Sequence, residues 1–239
     1  MFAETVMKAR NPLRWLGWAL VALVLAQAPL QAAEKSPEVL LQDVSEQMIE
    51  RLKAEREAIR AEPVRLFEVV AEVLEPRVDL ELMSRLVLGV HWRRAEPAQR
   101  ERFEQAFRNL IVRFYTSALL EEPGKLDELL ADSEGLIEFR PARIDDDGEK
   151  AVVRGAVHLP EGQDVPVMFR MHHRGEEWLV YDVTVEGVSL VTNYRNSFSQ
   201  EIQHAGLENL IQRLEERNDE ILKKARQGSL EGEGAPIPG

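Results

Sequence analysis

Along this chain the spacing of apolar residues changes twice, from helical to alternating near residue 136 and back to helical near residue 190. No other feature narrows the fold as far, because a helix and a strand each bury one face only at their own period. Ser36-Pro37 offers a helix cap followed by proline at the first helical position. The spacing of Val44, Met48, Leu52 and Ile59 then predicts a helix ending near Glu62, before Pro63. A second helix is predicted over residues 64–74, with Leu66, Val69, Val70, Val73 and Leu74 inward and Pro76 beyond its end. A third runs from Asp79 to about Leu88, where Gly89 stops it. The longest covers residues 97–120, and Phe103, Phe107, Leu110, Ile111, Phe114 and Ala118 give it a wide apolar face. Glu121-Glu122-Pro123-Gly124 breaks it.

Alternation takes over from there. Four strands are predicted, around Ile137 and Phe139, Val153 and Val157, residues 165–171 and residues 179–185. Asp145-Asp146-Asp147-Gly148, Pro160-Glu161-Gly162 and Arg174-Gly175-Glu176 turn the chain between them. Two more helices follow, around residues 192–204 and 207–227. Helices, then short-turned strands, then helices predict an α+β domain: a four-stranded antiparallel curved sheet with one apolar face, packed against several helices.

The ends do not read as fold. Lys8, Arg10 and Arg14 precede residues 15–26, an apolar run too short for a comfortable membrane span, and Ala26, Ala28, Ala32 and Ala33 follow. Residues 1–33 read as a secretory signal peptide, cleaved so that the mature chain starts between Pro29 and Glu34. The domain then occupies residues 34–227, and the polar, Gly/Pro-rich residues 228–239 read as a disordered tail. Without residues 1–33, 27 basic side chains face 41 acidic ones, a net charge of −14. Such a chain is repelled by polyphosphate and by an anionic leaflet, which argues against nucleic-acid binding and against unassisted membrane binding. Cysteine is absent, so thiolate metal sites and thiol catalysis are excluded.

Catalytic signatures are also missing. No phosphate-binding glycine loop and no HExxH occurs. Gly187-Val188-Ser189-Leu190 begins like a nucleophile elbow, but position 191 is valine where the second glycine belongs. His172 and His173 are adjacent in a strand and point to opposite faces, so they cannot share one metal. Asp182 stands between Tyr181 and Val183 in an apolar strand. It reads either as a general base in a small cone-fold enzyme or as an acid satisfied by hydrogen bonds or by an arginine such as Arg170. Apolar surface is what remains. One sheet face offers Ile137, Phe139, Val153, Val157, Val167, Phe169, Met171, Tyr181, Val183 and Val185; the helices offer Leu82, Leu86, Val87, Val90, Phe103, Phe107, Leu110, Ile111 and Phe114. Periodicity alone reads these as an ordinary core, because a pocket and a core share one pattern.

Three stretches carry a resemblance. They are Leu86-Val87-Leu88-Gly89 with Trp92; Pro97-Ala98-Gln99-Arg100 with Phe103, Ala106, Phe107 and Tyr115; and Trp178 with Tyr181-Asp182-Val183, Glu186-Gly187-Val188-Ser189-Leu190-Val191, Asn193-Tyr194-Arg195 and Phe198. Together they resemble the periplasmic phospholipid-binding proteins of the Mla lipid-asymmetry pathway, the MlaC or toluene-tolerance family, over about residues 38–217. The resemblance implies an NTF2-like cone, a curved sheet with helices across its concave side. It implies a non-enzymatic, monomeric carrier whose only ligand is its cargo, a diacyl phospholipid with its tails between sheet and helices. The tails would lie against Leu82, Leu86, Val90, Phe103, Phe107, Leu110, Ile111, Phe114, Phe139, Val153, Val157, Val167, Phe169, Met171, Tyr181, Val183 and Val185. No cofactor and no metal is implied. Two partners are: an inner-membrane ABC lipid transporter complex and an outer-membrane lipoprotein–porin complex, with Arg93 and Arg94 as candidate docking groups. No cluster of Arg and Lys marks a phosphate site, so loose head-group selectivity is expected. A ligand-free periplasmic adaptor with a filled core is the remaining alternative.

Overall fold

A computed structural model describes residues 35–121, 124–131, 133–159 and 162–227. The expected signal peptide and the expected tail lie outside the described residues. The first predicted helix is two: α1 (Pro37–Ala54) and α2 (Arg56–Ala61). The chain turns at Glu55, which pairs with Arg65 at 2.9 Å, and the turn aims Ile59 at Leu66 and Val69. α3 (Val64–Leu74) and a 3-10 turn (Glu75–Arg77) lead into α4 (Leu80–Leu88). Asp79 caps α4, accepting from the Leu82 amide at 2.9 Å. α5 (Pro97–Glu121) is the long helix. The acidic connection after it, which no helix was predicted to occupy, holds α6 (Lys125–Ala131), whose Leu126, Leu129 and Leu130 fall on one face at helical spacing.

The sheet is antiparallel and has six strands among the described residues, two more than the alternation predicts. They are β1 (Ile137–Phe139), β2 (Arg143–Ile144), β3 (Lys150–His158), β4 (Asp164–Arg174), β5 (Glu177–Val185) and β6 (Val188–Ser189). The order is β1-β3-β4-β5-β6, and β2 also pairs with β3. The two extra strands, β2 and β6, are two residues each, too short for a period to register. Gly155 stands opposite Phe139, and a β-carbon there would sit 2.4 Å from the Glu138 carbonyl oxygen, so only glycine lets β1 lie this close. α7 (Leu190–Ala205) and α8 (Leu207–Gln227) complete the fold.

One irregularity redirects a strand. Arg170 pairs with Asp182 but Met171 pairs with Val180, so Tyr181 is an extra residue, a bulge in β5. Strict alternation put Tyr181 on one face with Val183 and Val185. The bulge instead leaves Val180 and Val183 on that face and sends Tyr181 to the helical core. That core joins α4, α5, α7 and α8. Phe103, Phe107, Tyr194 and Phe198 interlock in it, with ring centroids 5.3 to 6.3 Å apart. Val87, Leu88, Leu210, Ile211 and Leu214 fill the spaces around them. A second cluster lies where Leu40, Leu41 and Val44 of α1 meet Val153, Met171, Trp178 and Val180 of the sheet.

Candidate functional site

Beside this second cluster the packing stops short of closure. α1 lies across the sheet with its apolar stripe downward, and α6 and the end of α5 lie beyond it. Between them is a cavity of about 390 Å³. Leu41, Val44, Met48, Ile49 and Leu52 line it from α1; Leu126, Leu129 and Leu130 from α6; and Leu136, Ile137, Phe139, Phe169, Val180 and Val183 from the sheet side. Leu74, Val78 and Leu119 complete the apolar wall, and only Ser45 and Arg77 bring polar side-chain atoms to it. Leu74 is 37% exposed, which marks the opening beside the 3-10 turn. A wall of this kind offers water few partners and offers a hydrocarbon chain continuous dispersion contact. Its volume falls within the range of small-ligand sites.

α6 is held over the cavity from outside. Arg56 and Arg60 of α2 both bind the Asp127 carboxylate. These two guanidinium groups hold Asp127 at about 2, well below the usual carboxylate range. Leu130 and Leu126 anchor the same helix inward, against Leu52, Ile59 and Leu66.

The structure divides the residues singled out in the sequence. Phe139, Phe169 and Val183 line the cavity. Val153 and Met171 are buried in the sheet layer next to it. Val167 is buried but outside the lining, and Val157 and Val185 are half-buried and outside it. The helical residues lie elsewhere. Phe103, Phe107 and Leu110 are buried in the helical core, and Leu86, Ile111, Phe114 and Tyr181 pack against it. Leu82 is half-buried and Val90 is 58% exposed, and neither lines the cavity. Arg93 and Arg94 are exposed in the turn before α5, also away from the lining. The α1 wall was legible as an amphipathic helix, but nothing in its period marks it as a cavity wall. The α6 leucines show a helical spacing hidden within an acidic connection.

Asp182 is 2% exposed and has its oxygens occupied. Oδ1 accepts from the Val191 amide at 3.1 Å, and Oδ2 accepts from Ser189 Oγ at 2.7 Å, with the Arg170 guanidinium 3.5 Å away. Ser189 in turn caps α7, accepting from the Thr192 amide at 3.1 Å. The carboxylate and serine that resembled pieces of a catalytic centre therefore tie the start of α7 to β5, where a negative charge suits the helix dipole. Asp79 does similar work at α4. Beside its cap it pairs with His172 Nε2 at 2.9 Å, and its amide donates to the Val180 carbonyl. Among the described residues no group of three or more His, Cys, Asp or Glu is placed to hold a metal ion, and no helix is long and apolar enough to cross a membrane.

Comparison with known proteins places this geometry. The chain is 29% identical over 188 residues to the toluene tolerance protein ttg2D of Pseudomonas putida, covering 78% of this chain and 82% of that one. It is 24% identical over 206 residues to the intermembrane phospholipid transport system binding protein MlaC of Haemophilus influenzae, covering 84% and 90%. In fold it is similar to the phospholipid-binding protein of Ralstonia solanacearum, solved in complex with a phospholipid: TM-score 0.66, 24% identity, covering 78% of this chain and 99% of that one. The family model described as MlaC protein matches residues 42–216, from α1 into α8, and the chain belongs to that family.

Proposed function

We propose that this protein is a periplasmic phospholipid carrier that holds acyl tails in the cavity between α1, α6 and the sheet. One observation carries the reading: an open space of about 390 Å³ walled almost entirely by aliphatic and aromatic side chains, where two clefts of about 440 Å³ elsewhere are lined largely by charged ones. The family relationship supports it, as do the named relatives that bind or transport phospholipid. The energetics require such a carrier. Exposing the roughly 30 methylenes of two tails at about 0.8 kcal/mol each costs on the order of 20 kcal/mol, so an unaccompanied phospholipid does not cross an aqueous gap.

In this reading residues 1–33 direct export and are cleaved, and residues 34–227 carry the cargo as a monomer without cofactor or chemistry of their own. The protein collects and delivers lipid at two docking partners, an inner-membrane ABC transporter complex and an outer-membrane lipoprotein–porin complex, and thereby maintains outer-membrane lipid asymmetry. The test is direct. Native mass spectrometry of protein isolated from its own compartment is expected to show a phospholipid-sized mass increment, and stripped protein is expected to regain it from vesicles. A protein that leaves the cell empty and stays empty with vesicles is not a lipid carrier.

A further inference from the structure

Among the described residues that line the cavity, Arg77 is the only charged one. Arg77 ends the 3-10 turn that forms the lip of the opening, one residue before Val78, which bridges to Val180 in β5 and is itself part of the wall. Its side chain is 36% exposed, so it spans the boundary between the apolar interior and water. Most arginines on the neighbouring elements are engaged tightly. Arg51 meets Glu72 at 2.6 Å, Arg65 meets Glu55 at 2.9 Å and Glu68 at 2.7 Å, and Arg108 binds Glu75. Among the described residues Arg77 pairs only with Glu177, at 3.9 Å, and that carboxylate is 65% exposed. A pair this long and this wet contributes little and is readily exchanged for a better anion.

We propose that Arg77 is the phosphate-binding residue of this site: with tails in the cavity, its guanidinium takes the phosphodiester at the lip in place of Glu177. This rests on the reading that the cavity holds acyl tails. The chemistry suits the group, because guanidinium presents parallel N–H donors that match two phosphate oxygens, while its stem adds apolar surface to the wall. A preference for phosphate-bearing over phosphate-free diacyl lipids follows from one residue.

The experiment is a competition. Stripped protein is offered equal amounts of dioleoyl-phosphatidylglycerol and dioleoylglycerol in non-ionic micelles, and bound lipid is counted by native mass spectrometry. The unaltered protein is expected to favour the phospholipid, and Arg77→Gln to reduce that ratio about tenfold. Arg77→Lys, a point charge without the fork, is expected to fall between. Glu177→Gln, which frees the guanidinium, is expected to raise the ratio. Equal ratios in the unaltered protein and Arg77→Gln overturn the assignment and leave the tail-holding reading intact. Failure of every variant, and of the unaltered protein, to load either lipid overturns both.

Discussion

The helical core and the sheet–α1–α6 layer are built from the same kinds of apolar periodicity, yet the first leaves a space of only about 110 Å³, beside Tyr194 and Phe198, and the second one of about 390 Å³. In the core, aromatic rings on two helices interlock edge to face, and aliphatic side chains from two more fill what remains. Opposite the sheet, α1 contributes only flexible or branched aliphatic side chains, and the seven-residue α6 adds three leucines. Large planar groups with fixed contact geometry close space more fully here than the aliphatic stripe of α1 does over the sheet. The contrast extends to the family signature. Gly89, Phe103, Phe107, Tyr194, Arg195 and Phe198 all belong to the helical core or its edge, where the Arg195 stem lies 3.9 Å from the position of a Gly89 β-carbon. Most of the residues that carry the resemblance in the sequence thus belong to the frame, not to the cavity wall.

Substitutions separate the two regions. Phe107→Ala in the solid core is expected to cost about 3–5 kcal/mol in denaturant unfolding, because the surrounding rings cannot collapse into the gap. The lipid bound per folded molecule is expected to stay unchanged. Asp182→Ala removes the acceptor of the buried Val191 amide and leaves the Ser189 hydroxyl only Thr192, and is expected to cost about 1–3 kcal/mol with fraying at the start of α7, read by amide exchange. Val183→Trp sharpens the comparison further. Directed into open space, it is expected to block lipid loading at a stability cost below about 1 kcal/mol, whereas Val153→Trp in the filled layer costs about 1–3 kcal/mol. A full-cost Val183→Trp that still loads lipid breaks the distinction between hollow and solid.

The smallest expected effect concerns the α6 clamp. The ordinary aspartate value is 3.8 and Asp127 lies at about 2, lowered first by its hydrogen bonds to Arg56 and Arg60. A carboxylate lowered on folding stabilises the native state above its unfolded value, and that contribution disappears as pH falls through the folded one. Acidification from 3.8 towards 2 is therefore expected to speed amide exchange in residues 125–131 before the helical core responds. Asp127→Asn is expected to show the faster exchange at neutral pH and to lose this acid dependence.

The sequence by itself determined the class of the fold. A helical period, an alternating period and a helical period again can be satisfied together by helices packed on an antiparallel sheet, and every predicted element exists. It also exposed Asp182 as a residue needing partners, including Arg170. Tertiary structure alone decided the rest. A bulge at Tyr181 is invisible to alternation, because one extra residue leaves the local pattern apolar while reversing which side it serves. The break at Glu55 and the helix at Lys125–Ala131 depend on what α2 and α3 pack against. The cavity is the clearest case. Periodicity records which side chains leave water, and it does not record whether the surfaces they form are complementary. The long aromatic helix packs its rings against its neighbours and leaves only about 110 Å³ at its edge, whereas about 390 Å³ remains between α1, α6 and the sheet.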